Sequence, residues 1–198
     1  MTYYANGHAG FKKIFFGYLC SLINSLGNSI ANLTGLSLIS DITSIFALIA
    51  LVLILWGLFE AKKDIKDITK ALWAYLAFYI IQIAISVVQT SAVVNQGVQT
   101  INTMPQMIAG FIMNAVVYYF ICTAAEEPLT KVNCADTAKL SSLTWKITGI
   151  LYLILCILTF VSFNVTDLSS ILSFVEVIPY AIFTFFLYKC MKGFDLLA

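Results

Sequence analysis

All the lysines of this chain fall in alternate connections between its apolar runs, and that restricts the fold more than any other feature of the sequence. The runs cover about 13–38, 42–61, 71–94, 105–125, 143–163 and 171–190, each close to the roughly twenty residues a helix needs to cross a hydrocarbon core. Lys12 and Lys13 open the first. Lys62, Lys63, Lys66 and Lys70 lie between the second and third, Lys131, Lys139 and Lys146 between the fourth and fifth or at the start of the fifth, and Lys189 and Lys192 close the sixth. The other connections carry none, and the chain has no arginine. Lysine-rich connections stay on the cytoplasmic side. The expectation is therefore an all-α polytopic membrane bundle of six transmembrane helices, built as three hairpins with both termini inside, and residues 1–198 form one integral membrane domain.

Composition agrees, with 61% hydrophobic and 11% charged residues, far from the balance of a soluble domain. The net charge of +1 hides a polarity across the bilayer, because Asp41, Asp167 and Glu176 fall away from every lysine. Trp56, Trp73 and Trp145 sit near the lysine-bearing ends of their runs, where amphipathic rings prefer the interface. The five cysteines show no C-x-x-C spacing, which indicates neither disulfides nor zinc, and no cofactor is implied. Abundant Ile, Lys, Asn, Phe and Tyr without arginine point to an AT-rich bacterial genome and so to the inner, cytoplasmic membrane. Lys12, Lys13, the run Ile14–Ile23 and Ser29-Ile30-Ala31 also match a secretory signal with its cleavage site; we read the segment as a retained helix.

Local signals set the expected boundaries. Ser40 and Asp41 suit a cap for the second helix, Thr103 with Gln106 makes a capping box ahead of the fourth, Pro105 fits an early helical position, and Asp136 and Asp167 suit caps for the fifth and sixth. The 60–70 connector, with Lys63 and Asp67 at helical spacing, reads as a solvated helical extension. Asn32–Ile39 echoes Asn164–Ile171, sharing Asn, Thr, Leu, Ser and Ile in register. A duplicated hairpin would produce this, as in many transporters, and so would chance. Asn32 and Asn164 also begin N-x-T glycosylation patterns.

Polar side chains recur on one face of several runs. On the first, Asn24, Asn28 and Asn32 repeat every four residues, with Ser21, Ser25 and Ser29 one position over, while Gly27 and Gly35 allow close approach. The third aligns Gln82, Ser86 and Gln89, the fourth Asn114, Tyr118 and Cys122, and the fifth Thr148, Tyr152, Cys156 and Thr159. Amides facing lipid are costly, so these faces turn inward, either as interhelical bonds or as the wall of a hydrated cavity.

Glu176 is the one acid deep within a run, flanked at helical spacing by Ser173, Tyr180 and Thr184, with Pro179 three residues later. That proline cannot donate to the carbonyl of Val175, so the helix should bend and offer a backbone oxygen beside a carboxyl group. Such a pair suits a cation or a protonated amine, and an ionisable group at this depth is a functional candidate. The alternative places Glu176 as a neutral acid near the outer interface, bonded to an Asn or Tyr. The candidate ligand-binding set is Glu176, Tyr180, Asn28, Asn32, Gln82, Gln89, Asn114 and Tyr152; no catalytic or metal residues are assigned.

HExxH, GxSxG and Gly-rich phosphate loops are absent, and His8, the only histidine, lies in the amino-terminal tail. These absences argue against an enzyme. Gly10-Phe11-Lys12-Lys13-Ile14 and the stretch from Ala138-Lys139-Leu140 to Trp145-Lys146-Ile147 resemble uncharacterised small multi-pass proteins of anaerobic Gram-positive bacteria, which implies a bacterial inner-membrane setting. Size and span number are similar to the substrate-binding subunits of energy-coupling-factor transporters. Those carry spaced alanines on the first helix for docking a coupling subunit, and Gly27, Ala31 and Gly35 provide a comparable spacing here. Two functions fit: a protein that binds or translocates a small solute or cation through a polar cavity, or a non-transporting scaffold, sensor or assembly subunit. The second would dock a cytosolic protein, a second copy or anionic lipids through its lysine-rich face. Nucleic acid is not expected as a partner.

Overall fold

The computed structural model describes residues 4–96, 104–162 and 168–195. They form helices α1 (Ala5–Thr34), α2 (Ser37–Ala61), α3 (Ile68–Gln96), α4 (Met104–Lys131), α5 (Ala135–Ser162), α6 (Leu168–Val175) and α7 (Val177–Asp195). Six stretches are long and apolar enough to cross a membrane, the sixth combining α6 and α7. The molecule is thus an all-α polytopic bundle. Leu38, Leu48, Ile83, Val88, Ile150 and Phe160 are among many large apolar side chains on its outside, as expected where lipid is the solvent.

The helices run longer than the apolar stretches within them. Helix α4 continues to Lys131 and α5 starts at Ala135, so the polar segment between those runs is mostly helical, with Glu127 and Lys131 paired one turn apart. Leaving the apolar layer does not end a helix while water and side chains can satisfy its exposed groups. Helix α1 stops earlier than expected. Gly35 takes φ +70° and its N–H donates to the carbonyl of Ala31 at 2.8 Å, the left-handed termination that glycine permits without strain. Helix α2 follows almost at once with Leu36 as its N-cap and no side-chain capping bond. Ser40 and Asp41 therefore lie inside α2 and do not cap it. Pro105 is the second residue of α4, and Asp136 sits in the first turn of α5. Thr103 and Asp167 lie outside the described residues, as does half of the second copy of the internal echo.

Within the 60–70 connector, α2 runs to Ala61 and α3 starts at Ile68, and the residues between, 62–67, are tight turns and not a helical extension, with Ile65 buried. Lys70, rather than Lys63, pairs with Asp67, at 2.9 Å. Asp64 accepts hydrogen bonds from Asn6 Nδ2 at 2.9 Å and Gly7 N at 3.0 Å, placing a carboxylate at the positive start of α1. Lys13 pairs with Glu60, and the ring of Tyr4 meets Phe194 at 6.0 Å. These contacts bring the lysine-bearing ends of α1, α2, α3 and α7 together.

Neighbours form a closed ring, α1–α2–α3–α4–α5–α7 and back to α1, with α7 also reaching across to α4 and α6 lying against α1 and α5. The α1/α2 contact is the tightest. Gly10, Gly17 and Gly27 face Ala61 and Gly57, Ile54 and Ala50, and Thr43 in turn. Small residues at this spacing let two backbones meet closely, which supplies the dispersion contacts that hold helices together in lipid. Gly27 and Ala31 are consequently buried within the chain's own fold, whereas Gly35 is exposed and terminates the helix. Among the described residues α1 and α3 make no close backbone contact, and the space between them holds the site.

Candidate functional site

A cavity of about 640 Å³ opens in the half of the bundle away from the lysines. From α1 it takes Ser21, Asn24, Ser25, Asn28, Ser29 and Asn32, from α2 Ala47, and from α3 Phe78, Tyr79 and Gln82. Helix α4 adds Gln106, Met107, Gly110, Phe111 and Asn114, and the sixth span adds Ser173, Glu176 and Tyr180. Each contribution follows a helical period: 21, 25 and 29 beside 24, 28 and 32 on α1, and 106, 110 and 114 on α4. Gly110 removes side-chain bulk at the middle of the α4 face, where an added Cβ would lie 3.5 Å from Gln82 Nε2.

Hydrogen bonds tie the walls to one another without filling the space. Ser40 Oγ donates to Asn28 Oδ1 at 2.8 Å, linking α2 to α1. Ser29 Oγ donates at 2.8 Å to the carbonyl of Ser173, and Asn32 Nδ2 at 3.3 Å to Ser173 Oγ, linking α1 to α6. Gln82 Nε2 donates to the carbonyl of Gln106 at 3.2 Å, and Asn114 Nδ2 to the Tyr180 hydroxyl at 3.2 Å. In the last pair Asn114 Oδ1 and the hydroxyl proton of Tyr180 remain for an occupant.

Glu176 stands at the joint between α6 and α7. Its own N–H still donates to the carbonyl of Leu172 at 3.0 Å, and Glu176 is the single residue between α6 and α7, with Pro179 in the first turn of α7. Proline has no N–H for the carbonyl of Val175, which accounts for the interruption. The bend expected from the sequence is thus an interruption of the span at the carboxyl-bearing residue.

Toward the lysine-bearing side the cavity is closed by stacked rings. Tyr118 lies on Phe183 with centroids 3.7 Å apart and planes 7° from parallel, while Tyr18 meets Phe183 edge-on at 4.8 Å and Tyr118 at 5.4 Å. Tyr152 packs edge-on against Tyr118 at 5.6 Å and beside Phe111 at 6.0 Å. The hydroxyls of Tyr18, Tyr118 and Tyr152 are buried with no well-formed hydrogen bond.

Six of the eight sequence candidates, Asn28, Asn32, Gln82, Asn114, Glu176 and Tyr180, therefore line one cavity. The other two do not. Tyr152 is fully enclosed behind Phe111 because α5 lies on the far side of the ring, and on the same helix Thr148 and Thr159 donate to its own backbone, at the carbonyls of Thr144 and Leu155. Gln89 lies about two turns beyond Gln82 on α3, outside the lining. Gln106, Phe111, Phe78 and Tyr79 were missed. Stepping back from Asn114 by four and eight reaches Gly110 and Gln106, and stepping back from Gln82 by three and four reaches Tyr79 and Phe78, so the period that gave the stripes also contains them.

Among the described residues no three His, Cys, Asp or Glu side chains come together as a metal set. No family model, curated protein or solved structure matches this chain.

Proposed function

We propose that this protein binds a small solute, entering from the side opposite its lysines, and holds it between α1, α3, α4 and the broken sixth span of an inner cytoplasmic membrane. The observation that carries the reading is the cavity itself. Its size falls in the range of about 300–1,000 Å³ usual for small-molecule sites, and four separate spans turn amides or hydroxyls toward it. If those groups served only to join helices, they would be expected to close on one another and leave no such space. The ring stack beneath makes it a cup rather than a channel, which fits a binding protein or one state of a transporter. The likeness in size and span number to energy-coupling-factor binding subunits belongs to the same reading.

The lining supports binding over catalysis, since among the described residues it offers Glu176 no histidine, cysteine or second carboxyl group with which to share acid–base work. The scaffold reading draws on a different observation: Lys12, Lys63, Lys66, Lys70, Lys131, Lys139, Lys146, Lys189 and Lys192 are all exposed at one end, a surface suited to anionic headgroups or an acidic partner. It leaves the cavity without a purpose.

The test is access to the cavity. Cysteine at Ser25, introduced in a background whose native cysteines are replaced by serine, should react with an impermeant thiol reagent added to intact cells. Failure of Ser25→Cys to react from either side of the membrane would mean that the space is sealed, and would end the solute-binding reading.

A further inference from the structure

We infer that the solute is a monovalent organic cation, a protonated amine with an organic body of its own, and that Glu176 is its counter-charge. This deepens the proposed solute-binding function and rests on it. Among the described residues Glu176 is the only charged side chain in the lining. All eleven lysines lie toward the opposite end of the molecule, and the nearest charged group in sequence on the same span is Lys189, more than three turns away. Ionised, Glu176 meets no internal cation among the described residues, so its counter-charge is to be supplied from outside. An anionic solute would meet that carboxylate with nothing to offset it.

The neutral part of the lining narrows the class further. A divalent metal ion prefers several carboxylates in a shell of six or more oxygens, whereas one is present. A bare alkali ion would leave most of about 640 Å³ vacant. Four aromatic rings, Phe78, Tyr79, Phe111 and Tyr180, share the lining with Glu176. Rings favour an ammonium group held over their faces and supply apolar contact to the rest of a ligand. Asn28, Asn114 and Gln82 give amide donors and acceptors for polar substituents. Beside Glu176 the lining also offers the Asn114 amide and the Tyr180 hydroxyl, and an –NH₃⁺ group has three protons to distribute among such acceptors. Charge, rings and amides together describe an amine of one positive charge bearing both apolar and hydrogen-bonding groups.

The experiment compares three isosteres on the purified full-length protein at pH 7: benzylamine, which is protonated, benzyl alcohol, which is neutral, and benzoate, which is anionic. Ligand-induced rise in melting temperature and isothermal titration are the readouts. The expected order is benzylamine over benzyl alcohol, with no response to benzoate. Glu176→Gln should lower benzylamine affinity at least tenfold while leaving benzyl alcohol unchanged, and the unchanged neutral ligand certifies that the variant is folded. Should Glu176→Gln fail to fold, the ranking on the wild-type protein decides. Equal binding of benzylamine and benzyl alcohol would overturn the cation assignment and leave a neutral-solute cavity. No response to benzylamine also overturns it, and reactivity of Ser25→Cys then shows whether the cavity reading falls with it.

Discussion

Gly10→Ala should destabilise the protein even though alanine is the better helix former. An added Cβ at Gly10 would lie 2.6 Å from Ala61 Cβ, from Ala61 N and from the Gly57 carbonyl oxygen, where ordinary carbon contacts need about 3.5–4.0 Å. Two of the three obstacles are backbone, so no rotamer change relieves them and the helices must part by about 1 Å. A gap of that size forfeits a quarter to a half of each affected dispersion contact, and overpacking of this kind costs about 1–3 kcal/mol. The intrinsic helical gain of Gly to Ala returns about 0.5–1 kcal/mol. The net loss should be about 1–2 kcal/mol, or roughly a 2–8 °C fall in melting temperature by the scaling for chains of this length. Gly149→Ala is the control: nothing lies within 4 Å of its added Cβ, so only the helical gain remains and the melting temperature should rise by about 1–4 °C. Both can be followed in detergent with a thiol-reactive dye, because Cys122 and Cys190 are free and buried in the folded state. If Gly10→Ala proved as stable as wild type, or rose together with Gly149→Ala, the close seam between α1 and α2 would be wrong.

Three other outcomes follow from particular contacts. Tyr18→Phe and Tyr118→Phe should leave stability unchanged or raise it by up to about 1 kcal/mol, because each removes a buried hydroxyl that makes no good hydrogen bond; a loss above about 1 kcal/mol in the thiol-dye assay would mean that a bound water satisfies it. Asp64→Ala should cost about 1–2 kcal/mol by removing the acceptor for Asn6 Nδ2 and Gly7 N at the start of α1, whereas Asp67→Ala, which loses only an exposed pair with Lys70, should change stability by less than about 0.5 kcal/mol. Cysteine at the exposed position Asp41, in a background without native cysteines, should react with an impermeant reagent in intact cells, and cysteine at Lys63 only after permeabilisation; the reverse pattern would invert the topology.

The fold was legible to the extent that hydropathy and lysine placement determine it, since lipid leaves helices as the one way to satisfy the backbone of such runs. Boundaries were less so. Ser40 looks like a cap by residue type, but the chain turns at Gly35 instead, and Ser40 serves Asn28 across the hairpin. Pro179 signalled the interruption of the sixth span because its effect is local and covalent. The candidate site was half visible: polar stripes gave the helix faces, but periodicity says nothing about which faces meet. Tyr152 sits on a polar stripe as regular as that of Asn114, yet the ring order of the helices turns it into a sealed aromatic stack. Apolar Phe78 and Phe111 line the cavity for the same reason, since only the meeting of α3 with α4 puts them there.

The glycine seam bears on how the cup could change shape. Backbones already in contact along Gly10, Gly17 and Gly27 have no slack in which to slide or tilt, so α1 and α2 behave mechanically as one stiff plate carrying the longest polar wall. Helix α3 is held differently. Among the described residues its backbone neighbours are α2 and α4, and along its distal half Ile80, Ile83, Val87 and Val88 face outward while Gln82 and Ile85 give a narrow inner edge. Restraint in this bundle is therefore lopsided: the α1/α2 plate is locked backbone to backbone, while α3, across the cavity from α1, has most of its distal surface facing outward.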